Sequence, residues 1–189
     1  EYAAAGKDIS DIPCTEFFAP KSIDFTRGRF VCVDGLYQSY LLIPSHGYKS
    51  EVMAGWISLL VNAGDGIDVD LFLTKQPKDR MVQKLGQQLR INHSKIKDAS
   101  DTNTNFDSLD DAIKSGYFLK RGIAENEDFY YMNTLITITA SSPAELDYRE
   151  REMRKLLLSH DIGCVSCTFR EEQAFLSSLP LASLEKHLF

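Results

Sequence analysis

The sequence predicts an α+β fold, an α/β sandwich of the ferredoxin-like kind. It is a duplicated βαβ unit with an N-terminal hairpin in front and a helical-hairpin insertion in the middle. Three observations predict it. Residues 40–73 read as strand, helix and strand in succession. Residues 133–169 repeat that order with similar element lengths. Between them lies a long, charge-segregated stretch with helical spacing. Two βαβ units in series favour an antiparallel sheet with two helices on one face and right-handed crossovers.

Residues 1–25 read as an extended arm laid over the core. Glu1–Asp11 is small and polar, and Ile12–Phe25 carries Pro13, Pro20 and the apolar pair Phe17-Phe18. Two β-rich runs follow, Arg29–Val33 and Leu36–Ile43, joined by Asp34-Gly35. That dipeptide signals a hairpin because both turn positions require positive φ. Pro44 ends the second strand. A helix is expected over Ser50–Ala63, with Val52, Trp56, Leu59, Leu60 and Ala63 on one face, Ser50 as its cap and Gly64 as its stop. Trp56, the single tryptophan, is expected to be a core anchor. In Ile67–Leu73, Ile67, Val69, Leu71 and Leu73 alternate with Asp68, Asp70 and Phe72, the pattern of a half-buried strand.

In the second unit Thr134–Thr139 alternates as a strand. Ser142-Pro143-Ala144-Glu145 is a capping box with proline at the first helical position. The helix it opens carries Leu146, Met153, Leu156, Leu157 and His160 on one stripe, ends at Asp161–Gly163, and leads into a final strand, Cys164–Phe169. The insertion, about 77–122, holds one helix from Lys78 to about Asp98, a polar turn at Ala99–Asn105 and a second helix over about Ser108–Arg121. The expected organisation is thus the arm 1–25, one α+β domain over 26–181, and the start of a linker to a further domain at 182–189.

Charge is uneven along the insertion. From Lys75 to Lys97 there are seven basic residues against Asp79 alone; from Asp98 to Asp128 there are eight acids against Lys114, Lys120 and Arg121. Either the two arms attract one another, or the basic arm faces an acidic partner, a phospholipid surface or nucleic acid. On the second reading the candidate partner-contact residues are Lys78, Arg80, Lys84, Arg90, Lys95 and Lys97. The whole chain carries a net charge of −6, which argues against a general nucleic-acid binder.

Hydrophobic content of 43% over 189 residues suits an ordinary globular chain. Residues 1–19 lack the basic start and apolar run of a signal peptide, and the longest nearly apolar run, Val52–Ala63, falls short of the roughly 20 residues that span a bilayer. Four cysteines are too sparse for a disulfide scaffold, so a reducing, cytoplasmic setting is expected. The chain opens at Glu1 and stops within a polar-apolar pattern at Phe189, as a piece of a longer protein would.

The candidate chemistry is thin. Cys164-Val165-Ser166-Cys167 is a C-x-x-C on an expected strand, where residues three apart face opposite ways, so packing explains it better than redox or zinc chemistry. His46, His93, His160 and His187 show no ligand spacing. Gly64-Asp65-Gly66-Ile67-Asp68-Val69-Asp70 lacks the order of a calcium loop and reads as a tight turn entering a strand. The sequence contains no phosphate-cradling G-x-x-x-x-G-K-[ST] and no G-x-S-x-G. Phe72, Tyr130, Tyr131 and Phe169 could serve single-stranded nucleic acid, although no K/R-G-F-x-F-like strand accompanies them.

Several pieces together resemble the N-terminal domain of the conjugation and type IV secretion ATPases, the CagE/TrbE/VirB family. Phe18-Ala19-Pro20-Lys21-Ser22-Ile23-Asp24-Phe25 is similar to the family's early "APxxIxF". The strand ending at Pro44, Gly55-Trp56-Ile57 and the alternating Ile67–Leu73 follow in the family's order, then the capped helix at Ser142–His160. Gln173-Ala174-Phe175-Leu176-Ser177-Ser178-Leu179-Pro180-Leu181 is like its "F-x-S-x-L-P". The resemblance covers about Ile12–Leu181. It implies a bacterial, cytoplasmic domain peripheral to the inner membrane that docks a motor to secretion-channel subunits, within a homo-oligomer. It places ATP, Mg and the P-loop in the parent's separate motor domain, with no cofactor or catalytic residue in this fragment. The rival expectation is a stand-alone ferredoxin-like nucleic-acid-binding module.

Overall fold

A computed structural model describes residues 19–49, 51–98 and 106–188. The elements run β1 (Ile23–Asp24), β2 (Val31–Val33), β3 (Leu36–Ile43), α1 (Trp56–Val61), β4 (Ile67–Gln76), α2 (Lys78–Asp98), α3 (Phe106–Ala124), β5 (Phe129–Ala140), α4 (Pro143–Ser159), β6 (Val165–Ser166) and α5 (Glu171–Ser178). This is a mixed α+β fold. Its strands form one antiparallel sheet of order β1-β2-β3-β5-β4, and β6 pairs with β3 outside that path. β2 and β6 share one edge of β3, the former along Leu36–Gln38 and the latter at Leu41–Leu42.

The Asp34-Gly35 hairpin forms as the sequence predicts, with φ of 51° and 83° at its two turn residues. Part of the expected arm extends this hairpin, because Ile23 and Asp24 pair with Val33 and Cys32. The Asp34 carboxylate accepts from Ser22 N at 2.9 Å. Residues 1–18, with Cys14 and the Phe17-Phe18 pair, lie outside the described residues, as do the expected cap Ser50 and the turn at 99–105.

The first helix is a correction. Expected over Ser50–Ala63, it spans only Trp56–Val61, because Gly55 takes a left-handed φ of 81° and breaks the helical run. Val52 and Met53 therefore stand exposed rather than on an apolar stripe. Trp56 does anchor the core: it is buried and meets Tyr48 edge-on, ring centroids 5.4 Å apart.

The two helices of the βαβ units share one face of the sheet, as expected, and the other face is covered as well, by a helix the sequence reading did not include. On the first face Leu41, Ile43, Ile136 and Ile138 pack against Trp56 and Leu60 of α1 and Leu146, Met153 and Leu157 of α4. On the second, Val31, Tyr40, Leu42 and Leu135 pack against Cys167, Ala174 of α5 and Leu188. Phe72, read from the sequence as standing on the polar side of its strand, packs into this second core. Residues 182–188, expected to begin a linker, lay Leu184 and Leu188 there as well.

α4 starts where its sequence dictates. Ser142 Oγ accepts from Glu145 N at 3.3 Å, and Pro143 occupies the first turn. The Glu145 carboxylate reaches back one residue further than in a standard capping box, taking Ser141 N at 3.0 Å and Ser141 Oγ at 2.6 Å. These bonds, with Arg149 beside it, hold its carboxyl below the usual range. At the other end Ile162 N donates to Leu157 O and Asp161 N to Leu158 O, both at 3.0 Å, with Asp161 at a left-handed φ of 53°. That is a Schellman stop, and Ile162 and Leu157 supply its apolar contact. The expected last strand, Cys164–Phe169, is shorter: it pairs with β3 at Val165–Ser166 and through Cys167 N, which donates to Tyr40 O at 3.1 Å, and Phe169 then takes a left-handed φ of 61°.

Arg149 ties α4 to the sheet: its guanidinium donates to Asp65 O at 2.7 Å and Thr139 O at 2.5 Å. Gly66, in the turn beneath it, has φ 75°, and a Cβ there would lie 2.6 Å from Thr139 O. The Gly64-Asp65-Gly66 run is thus a close backbone turn into β4, as the sequence reading has it. No helix among the described residues is long and apolar enough to cross a membrane.

Candidate functional site

The inserted helices α2 and α3 form an antiparallel hairpin between β4 and β5. It is held by apolar packing and by polar contacts at its base. Met81, Leu89, Ile113 and Ile123 are buried. Leu89 closes over Gly116, where an added Cβ would come within 2.9 Å of Leu89 Cδ2. Tyr131 of β5 donates to Met81 Sδ. The expected attraction between a basic and an acidic arm is not what joins them. Among the described residues Lys114 pairs with Asp110 and Arg121 with Glu125, all within α3 or its end, and ion pairs between the arms occur only at the base, where Lys75 and Lys78 meet Asp128.

The six candidate partner-contact residues separate into different roles. Lys78 belongs to the hinge of the hairpin: its Nζ donates to Asn126 O at 2.9 Å and Asn126 Oδ1 at 2.7 Å and lies 3.4 Å from Asp128. Its ammonium is thus engaged within the chain, at the base of the hairpin. Arg80, Lys84, Arg90, Lys95 and Lys97 are exposed and make no ion pair among the described residues. At about 100° per residue, Arg80, Lys84 and Lys95 fall on one flank of α2, and Arg90 and Lys97 on the other. The first flank also carries Ile91, which is 41% exposed.

The second flank borders a groove of about 360 Å³ between the two helices, lined by Val82, Gly86, Leu89, Arg90, His93, Tyr117 and Lys120 among others. His93 Nε2 and Tyr117 OH are 3.2 Å apart across it. Because Gly86 has no side chain, its floor is open backbone. None of the lining residues is acidic, so the groove presents cations and aromatic edges to solvent.

The sequence reading passed over the outer edge of β4. Its pairing with β5 is continuous from Ile67↔Ile138 to Gln76↔Phe129, and among the described residues β4 ends the sheet on that side. Thr139 N donates to Gly66 O at 2.7 Å, which fixes the phase of the ladder. Asp68, Asp70, Phe72 and Thr74 turn their main-chain groups toward β5, and Val69, Leu71, Leu73 and Lys75 turn theirs outward. Leu71 and Leu73 are 40% and 62% exposed. A cavity of about 570 Å³ runs along Asp70–Thr74, walled on its far side by Ser177, Leu179, Pro180, Ala182 and Leu184. Burial, with Asp68 beside it, raises the Asp70 carboxyl above its ordinary value. The one available signal was the alternation itself, which keeps leucine on a strand that has no outer neighbour among the described residues.

The residues singled out for chemistry are placed apart. Cys164 packs at the first core and Cys167 in the second, so the C-x-x-C faces both sides of the sheet. Burial raises both thiols, Cys167 to about 12. His160 is the C-cap residue of α4, while His46 and His187 are exposed elsewhere. Among the described residues no group of His, Cys, Asp and Glu is arranged to hold a metal ion. No protein-family profile, curated protein or solved structure matches this chain.

Proposed function

We propose that this chain is a non-catalytic assembly domain of a VirB-type conjugative DNA-transfer ATPase. In this reading it docks the motor to channel subunits at the bacterial inner membrane from the cytoplasmic side. ATP and Mg act in the parent's motor domain, outside these residues. The strand order β6-β3-β5-β4, with α1 and α4 together on one face, supports the ferredoxin-like duplication that the reading includes.

The observation that carries the proposal is the hairpin. It is a long insertion, braced at its base by Lys78 and Asp128, whose remaining α2 cations have no carboxylate of their own among the described residues. Structural cations are ordinarily paired or interspersed with acids. A run left open along one helix suits an acidic partner surface.

The test is a charge reversal of the first flank, Arg80→Glu with Lys84→Glu and Lys95→Glu, in the full-length parent. These are exposed helix positions, so the fold and the motor's ATP hydrolysis are expected to persist. Co-purification with the inner-membrane channel subunits and DNA-transfer frequency are expected to fall by about tenfold or more. Transfer at the unmodified level would overturn the docking role.

A further inference from the structure

We infer that the free edge of β4 is a self-association interface, pairing antiparallel with β4 of a second copy of this chain about a two-fold axis at Phe72. The interface rests on the chemistry of the edge alone and is independent of the larger machine the domain serves.

An open strand edge ordinarily carries protection: short length, a bulge, proline or unpaired charge. This one has none. β4 is ten residues long, with unbroken register and no proline. Its single lysine, Lys75, is held by Asp128 at 2.6 Å. Two leucines stand exposed beside the outward main-chain groups. The cavity along Asp70–Thr74 leaves room for an entering strand, and Leu179 and Leu184 offer it an apolar wall.

The edge is also complementary to itself, in one register. Outward groups belong to odd-numbered residues, so only odd positions can bond to odd positions across a two-fold axis. Centring on Phe72 places Leu71 against Leu73, Val69 against Lys75, Asp70 against Thr74 and Asp68 against Gln76. Each exposed leucine then meets another, and each acid meets a hydroxyl or amide donor. Centring on Leu71 instead sets Asp70 against the Phe72 ring. Centring on Leu73 sets Leu71 against Lys75 and Val69 against Pro77, which has no N–H to give. In the favoured register Val69, Leu71, Leu73 and Lys75 of both copies exchange about eight main-chain hydrogen bonds, within the roughly 5–15 of a specific interface.

The experiment is sedimentation of the purified chain across a concentration series of about 1–100 μM, a range in which moderate interfaces dissociate. The mass is expected to rise from 21.3 kDa toward twice that value. Leu73→Lys, at a site already mostly exposed, is expected to remain monomeric at the concentrations that dimerise the parent, with an unchanged circular-dichroism spectrum. Hydrogen exchange on the unaltered chain provides a readout that needs no variant. Amides of Val69, Leu71, Leu73 and Lys75 are expected to gain protection with concentration, while those of Asp68, Asp70 and Phe72 are protected throughout. A monomer at every concentration, a dimer indifferent to Leu73→Lys, or outward amides that exchange freely in the dimer would each overturn the interface.

Discussion

Replacing Gly66 and Gly86 by alanine, one at a time, is expected to move stability in opposite directions. At Gly66 the backbone sits at φ 75°, where an L-residue pays about 1–2 kcal/mol. The new Cβ would also lie 2.6 Å from Thr139 O, a main-chain atom held in the ladder by the 2.7 Å bond from Thr139 N to Gly66 O. Relief requires the start of β4 to move, at about 1–3 kcal/mol, the usual cost of overpacking. Together these make Gly66→Ala about 2–5 kcal/mol less stable. At Gly86, inside α2, a Cβ would meet nothing within 4 Å, so the substitution only restores helix propensity, worth about 0.8–1 kcal/mol. With a urea dependence of about 2 kcal/mol per molar, the unfolding midpoint should fall by about 1–2.5 M for Gly66→Ala and rise by about 0.5 M for Gly86→Ala. Urea titrations followed by circular dichroism give both numbers. Shifts of the same sign, or an unchanged midpoint for Gly66→Ala, would refute the account of the turn into β4.

Other expectations follow from the packing and the charges. Leu157→Ala removes a fully buried side chain that also closes the Schellman stop of α4, and should cost about 2–5 kcal/mol in the same titration. Asp128 has its carboxyl held below the ordinary 3.8, first by the hydrogen bond from Lys75 and then by Lys78. A depressed carboxylate contributes above its unfolded value and loses that contribution as pH falls through the folded one. The base of the hairpin should therefore be intact at neutral pH and loosen below about pH 4, read as a fall in the protection factors of the Asn126 and Glu127 amides relative to their intrinsic exchange at each pH; unchanged protection factors would remove the Lys75–Asp128 contact from the account. Cys167, buried with its thiol pushed up to about 12, should resist alkylation at neutral pH until the chain is unfolded, as mass spectrometry would record.

Much of the fold was legible because local chemistry and tertiary structure agree. Asp34-Gly35 can hardly be other than a hairpin turn, and Ser142-Pro143-Ala144-Glu145 starts a helix in almost any setting. The failures lie where a tertiary fact decides. Val52 and Met53 have helical spacing with Trp56, yet Gly55 is left-handed and the helix starts after it. Phe72 alternates with aspartates and reads as solvent-facing, but α5 and Leu188 cover that face. The candidate site was legible only as composition. A run of cations is visible in a sequence, whereas Lys78's engagement with Asn126 and Asp128, some fifty residues away, is not. The free edge of β4 was invisible for a related reason: a strand's sequence does not say whether it has one neighbour or two.

The central claim, that this domain belongs to a conjugation motor, is tested most directly on the parent polypeptide encoded through and beyond Phe189. The account predicts a G-x-x-x-x-G-K-[ST] in that polypeptide and ATP hydrolysis that is lost when its lysine is replaced, with residues 1–189 alone showing none. A reading frame that closes at Phe189, or a continuation without a phosphate-binding loop, would contradict it.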